Sequence, residues 1–137
     1  SVAPAAIGEN LVTYGQEATQ RLAEALELIG VLALETFVTT DGKLLFNEIA
    51  PRPHNSFHWT LEGCATSQFT QLARCLTGMA LGSTHNYGQW QMDNLLGEDM
   101  PGLVKLANVP GLHLHLYGKS SAKTGRKMGH TNRLIKF

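Results

Sequence analysis

Two glutamates and a proline-stiffened loop hold the residues best able to do chemistry. Glu35 and Glu48 lie in apolar, β-branched runs, 31-VLALETFVT-39 and 44-LLFNEI-49, on either side of 40-TDGK-43. Asp-Gly between two such runs is a strong hairpin signal, because a type I′ turn needs φ > 0 at both central positions. A two-residue Asp41-Gly42 loop makes Thr40 face Lys43 and, in the same register, Glu35 face Glu48. Opposed strand residues have Cβ atoms about 4.5–5.5 Å apart. Two carboxylates that close, flanked by Val31, Ala33, Phe37 and Phe46, repel unless one is protonated or a cation lies between them. Mg2+ suits the place, since it takes oxygen ligands and is bound by one or two carboxylates together with substrate phosphates.

The segment 47-NEIAPRPHNS-56 continues from the second glutamate. Pro51 and Pro53 lack N–H donors and bias their predecessors toward extended backbone, so regular structure ends there. Arg52 and His54 supply charged or titratable donors, and Asn55 and Ser56 neutral ones. A stiff donor-rich loop beside a metal pair is what phosphoryl transfer requires. Zinc is not indicated: there is no helical HxxxH and no cysteine partner for a histidine. His58 and His85 read as ordinary loop residues, and His113 and His115, alternating on a strand, as packing or surface.

The elements that must position these residues follow from periodicity. Residues 9–29 read as an amphipathic helix stopped by Gly30, and residues 65–79 as a second, with Gly78 near its end. Both faces of the hairpin are apolar, which predicts burial between layers. After residues 82–88 come short strand-like pieces at 89–96, 112–118 and 127–135, with a short helix at 102–108. The expected fold is α+β, an antiparallel sheet with helices over residues 1–85 and a small β-rich subdomain over 86–137.

Of the 137 residues, 43% are apolar and 16% charged, as in one soluble globular domain with a small appendage. No apolar run nears the ~20 residues that span a membrane. Neither a leader pattern nor a CxxC is present, and Cys64 and Cys75 read as small core residues, so a reducing, cytoplasmic setting is expected. Net charge is zero but lopsided: residues 1–118 hold all 11 acids and 5 bases, whereas residues 119–137 hold 6 bases and no acid. Such a tail either compensates an acidic body or forms an anion site, most simply for phosphate. It does not suit nucleic acid, because Tyr117 and Phe137 alone are too few for a stacking platform.

The string 47-NEIAPRPHNSFHWTLEGCATSQF-69 closely resembles the C-terminal half of the ATP-grasp family of 5-(carboxyamino)imidazole ribonucleotide synthases, the ATPase subunits of phosphoribosylaminoimidazole carboxylase. The stretches 30-GVLALETFV-38, 81-LGST-84 and 115-HLYGKSSAKTGRKMGH-130 agree in order and spacing. The resemblance implies ATP and Mg2+ as cofactors, with Glu35 and Glu48 on the metal and Asn47 at the ATP site. Arg52 would stabilise an acyl-phosphate, and His54, Asn55 and Ser56 would line the bicarbonate and carboxyphosphate region. Lys119, Arg126 and Lys127 would hold the phosphate of aminoimidazole ribonucleotide. It implies a purine-biosynthetic ligase, a homodimer at full length. The family's N-terminal nucleotide-fold domain and lid have no counterpart in these residues, so this chain alone is expected not to turn over ATP. A formate-dependent glycinamide ribonucleotide transformylase, with a similar Pro-Arg-Pro-His loop, and a non-catalytic nucleotide-binding or assembly lobe are the alternatives. Phe57 stands where the family usually has Gly.

Overall fold

The computed structural model describes residues 1–136; Phe137 lies outside them. It combines helices with two antiparallel sheets. In chain order the elements are β1 (Val2–Ala3), α1 (Glu9–Ala25), β2 (Ala33–Val38), β3 (Leu44–Ala50), a 3-10 turn (Asn55–Phe57), α2 (Thr60–Gly63), α3 (Gln68–Leu76), β4 (Gln89–Leu96), a second 3-10 turn (Gly97–Gly102), α4 (Leu103–Ala107), β5 (Leu112–Leu116) and β6 (Lys127–Lys136). β2 and β3 pair with each other, and β1, β4, β6 and β5 form the second sheet in that order. The short β1 pairs with β4, so the first residues of the chain share a sheet with its last strand.

Both long helices are shorter than their periodicity predicts. α1 ends in a Schellman turn: Leu28 N–H donates to the Ala23 carbonyl and Glu27 N–H to that of Glu24, both at 3.0 Å. Glu27, at φ 48°, takes the left-handed position that the sequence would assign to Gly30. α3 begins only after Ser67, whose Oγ accepts from the Thr70 N–H at 3.2 Å. The loop after β3 is more ordered than its prolines suggest, since residues 55–57 and 60–63 are helical turns.

The hairpin departs from expectation in two ways. Its loop has three residues, with Thr39 paired to Lys43 and Gly42 at φ 77°, rather than two. Its faces are also open rather than layered: Phe37 is 60% and Phe46 66% exposed. Among the described residues α1 lies along only one side, across a cleft of about 1130 Å3 whose lining includes Leu11, Leu34, Phe37 and Asn47.

The core lies elsewhere. Trp59, Trp90 and Met92 are buried together, with Ala3, Cys64 and Leu134 packed against them. Cys64 and Cys75 are both free thiols, and burial pushes Cys64 up from its ordinary value. β6 runs through the middle of its sheet, and Met128 to Asn132 are all buried. Gly129 lets β5 approach, because a Cβ there would run into the His115 carbonyl oxygen. Gly129→Ala is therefore expected to destabilise the fold by about 2–3 kcal/mol, read as a lowered urea midpoint, since a backbone atom cannot swing aside.

Candidate active site

β2 and β3 do bring the two glutamates face to face, by a different route from the one the sequence suggests. From Val38↔Leu44 to Thr36↔Phe46 the ladder is one residue out of the predicted register. A bulge at Asn47 then restores it, and Glu35 pairs with Glu48. The bulge also breaks strict alternation. Asn47 Nδ2 donates to Glu35 Oε2 at 3.1 Å while its neighbour Glu48 reaches the same site.

A third group stands at the pair. His54, 6% exposed, places Nε2 3.3 Å from Glu35 Oε1 and 3.3 Å from Glu48 Oε1. Its Nδ1 lies 2.8 Å from Ser56 Oγ. Glu35, Glu48 and His54 each bring a ligand atom within 4.8 Å of the others. Two carboxylates and one imidazole nitrogen make a donor set that fits a divalent cation, the oxygens suiting a hard ion such as Mg2+. Arg52 points its Nη1 at the Pro53 carbonyl, 3.0 Å away. It shares a cavity of about 300 Å3 with His54, Phe57, Trp59, Cys64 and Gln68. Phe57 is half exposed at the junction of this cavity and the α1 cleft.

Asn55 faces away from the carboxylates. Its Nδ2 donates to Asn94 Oδ1 of β4 at 2.8 Å. Burial raises the Tyr117 pKa above its ordinary value, partly offset by the nearby Asn55 side chain. The Tyr117 ring stands edge-on to His58, just after the loop, with centroids 6.2 Å apart. Lys119 lies over the Tyr117 ring, 5.5 Å from its centroid, with its Nζ on the Lys127 carbonyl. Arg126 holds Ser121 through its carbonyl and hydroxyl at 3.1 and 2.9 Å. Lys127, exposed, opens β6. The structure thus joins Glu35, Glu48, His54 and Ser56 in one cluster, with Asn47 and Arg52 at its edge. Lys119, Arg126 and Lys127 form a separate basic group beyond Tyr117.

Between them lies a polar column that the sequence does not announce. The rings of His58, His130 and His115 stack at 4.7 and 4.5 Å. Tyr117 Oη bonds His130 Nδ1 at 2.9 Å, and Glu62 takes His115 Nε2 at 2.7 Å and Asn132 Nδ2 at 2.6 Å. His58 and His115 are therefore more than loop and strand filler. The available signal was polar residues at alternating positions, 113, 115, 130 and 132, in runs patterned as strands.

Burial, then the charges of His58 and His115, push His130 down to about 4. His58 is lowered too, by burial first and then by the charges of His115, His54 and Lys127. An unfolded chain binds these protons near pH 6.5 and the folded chain does not, so stability rises with pH between about 4 and 6.5. Acidification from pH 7 to 4.5 is expected to cost on the order of 1–2 kcal/mol through this column. That is less than full linkage, because His115 is partly open to solvent. Thermal melts across that range check it: a His130→Gln chain should show a shallower slope.

With the geometry in place, the comparisons with known proteins decide the family. The ATP-grasp domain model matches residues 1–69, and that of the phosphoribosylaminoimidazole carboxylase C-terminal domain matches residues 91–136. The chain belongs to the ATP-grasp family. It is similar to the N5-carboxyaminoimidazole ribonucleotide synthase of Brucella melitensis, 45% identical over 98% of this chain and 37% of that protein. An N5-carboxyaminoimidazole ribonucleotide synthetase solved as its ADP complex superposes at a TM-score of 0.93, with 47% identity over 98% of this chain and 36% of that one. The Aspergillus clavatus N5-carboxyaminoimidazole synthase, solved with ADP and 5-aminoimidazole ribonucleotide, gives 0.91 at 31% identity, over 98% of this chain and 38% of that one. This ATP-grasp chain thus spans about a third of the length of the relatives it matches. No helix among its described residues is long and apolar enough to cross a membrane.

Proposed function

We propose that this chain forms the metal-binding and anion-stabilising part of an N5-carboxyaminoimidazole ribonucleotide synthase, a ligase that joins bicarbonate to aminoimidazole ribonucleotide as ATP goes to ADP and phosphate. The observation that carries the reading is the convergence of Glu35, Glu48 and His54 within 4.8 Å, at the head of a stiff loop that also presents Arg52. Glu35 and Glu48 hold Mg2+, and Asn47 orients the Glu35 carboxylate. The bound ion supplies positive charge against the transferring phosphoryl group. Arg52 offers a planar cation to the anion formed from bicarbonate, and His54 and Ser56, coupled through Nδ1, line the same place with Asn55 behind them. Lys119, Arg126 and Lys127 take the phosphate of the ribonucleotide. Water must be kept from so labile an acyl phosphate. The open hairpin faces and the α1 cleft are where the remaining two-thirds of the enzyme would close over the nucleotide.

The test uses the natural polypeptide that carries this sequence. Phosphate release should require both bicarbonate and aminoimidazole ribonucleotide and match carboxylated product one for one. Residues 1–137 alone should give none. Release driven by formate and glycinamide ribonucleotide, with bicarbonate inert, would replace the reading with a transformylase. Nucleotide binding without turnover would leave a binding lobe.

A further inference from the structure

His54 follows a proline and precedes a 3-10 turn, so no strand ladder fixes its backbone. It is extended, at φ −113° and ψ 145°. An extended residue presents its N–H and C=O on one side, at a spacing a primary amide can match. The side chain of Gln68, the first residue of α3, makes that match. Its Oε1 accepts from His54 N–H at 2.8 Å and its Nε2 donates to the His54 carbonyl at 2.9 Å.

The second Nε2 proton meets His58 Nδ1 at 3.0 Å. A backbone N–H only donates and a carbonyl only accepts, so the orientation of the Gln68 amide is unambiguous. His58 Nδ1 must then accept, which puts the His58 proton on Nε2. Gln68 is itself held: its N–H donates to Thr60 Oγ1 at 3.1 Å, and that hydroxyl donates to the Phe57 carbonyl at 2.7 Å. Ser67 caps the helix one residue earlier.

We propose that Gln68 is a positioning residue, which sets the imidazole of His54 against the Glu35–Glu48 pair through its two bonds to the His54 backbone and locks the tautomer of His58. Its kinetic consequence rests on the function proposed above; its structural content does not. His54 Nε2 is 3.3 Å from each carboxylate, so a small tilt of the residue favours one over the other. Met at position 68 keeps the length of the side chain and loses its three side-chain bonds. Glu keeps the acceptor for His54 N–H but sets a carboxylate oxygen against the His54 carbonyl and His58 Nδ1.

The experiment is made in the natural polypeptide, with Gln68→Met and Gln68→Glu beside the parent. Gln68→Met should lower kcat for bicarbonate-dependent turnover on the order of 10–100-fold, with KM for ATP within about twofold, as for other residues that orient a ligand. Side-chain 15N spectra of labelled histidine should show His58 Nδ1 as an acceptor in the parent and protonated in Gln68→Glu, and should show the His54 ring signals moved in both variants. Turnover within about twofold of the parent, or a loss that only tracks the folded fraction while the His54 signals stay put, overturns the proposal. A parent with no bicarbonate-dependent turnover defeats the functional reading alone, and the ring spectra still decide the role of Gln68.

Discussion

On the function proposed above, Glu48→Gln should lower turnover of the natural polypeptide about 1,000-fold or more, the scale of losing a charge that neutralises a transferring phosphoryl group. Glu48 does little else. It is more than half exposed, and among the described residues its carboxylate touches only His54 Nε2. Gln preserves the shape and removes the charge. It also relieves like-charge repulsion across the hairpin, so the metal-free variant should melt no lower than the parent. The parent's Mg2+-induced rise in Tm should vanish with the charge, and Glu35→Gln should behave alike while also weakening the Asn47 bond. Turnover within tenfold of the parent, with the Mg2+ shift intact, would show that the opposed pair is not the metal site.

Arg52→Ala is expected to reduce kcat about 100- to 10,000-fold, with Arg52→Lys recovering roughly a tenth of the parent rate. Arg52 makes one hydrogen bond among the described residues, from Nη1 to the Pro53 carbonyl, so most of its five-donor fork is uncommitted. Lysine restores the charge without the fork, and the gap between the two variants therefore measures bidentate geometry separately from charge. Single-turnover ATP cleavage beside product formation is the assay. A fivefold loss or less in Arg52→Ala would mean that the guanidinium only braces the loop.

Much of this site was legible in the sequence. Asp41-Gly42 between two apolar runs gave the hairpin, and the two prolines gave the stiffness of the loop. The opposition of Glu35 and Glu48 was reached through a register that holds only at that end of the ladder. A three-residue loop and a bulge each shift pairing by one, and no local propensity at Thr40 or Asn47 announces either. The helix ends were misplaced because capping by Glu27 and Ser67 depends on hydrogen bonds rather than composition. The openness of the hairpin was illegible for a different reason. Alternation reports which faces are apolar, not whether a covering layer lies in the same residues. Gln68 and the histidine column leave no local signal of their roles, because tertiary pairing gives them those roles across separations such as 14 and 53 residues.

The bulge at Asn47 has a consequence for inheritance. A one-codon deletion of Asn47 leaves Thr36 facing Phe46 and lets Glu35 meet Glu48 in an unbroken ladder. Such a lineage would keep its carboxylate pair and lose only the amide beside it. Deleting Glu48 instead brings Ile49 up to face Glu35, and the pair is gone. Adjacent codons in one strand therefore differ in what their loss removes: position 47 takes the amide that orients Glu35, position 48 the pair itself.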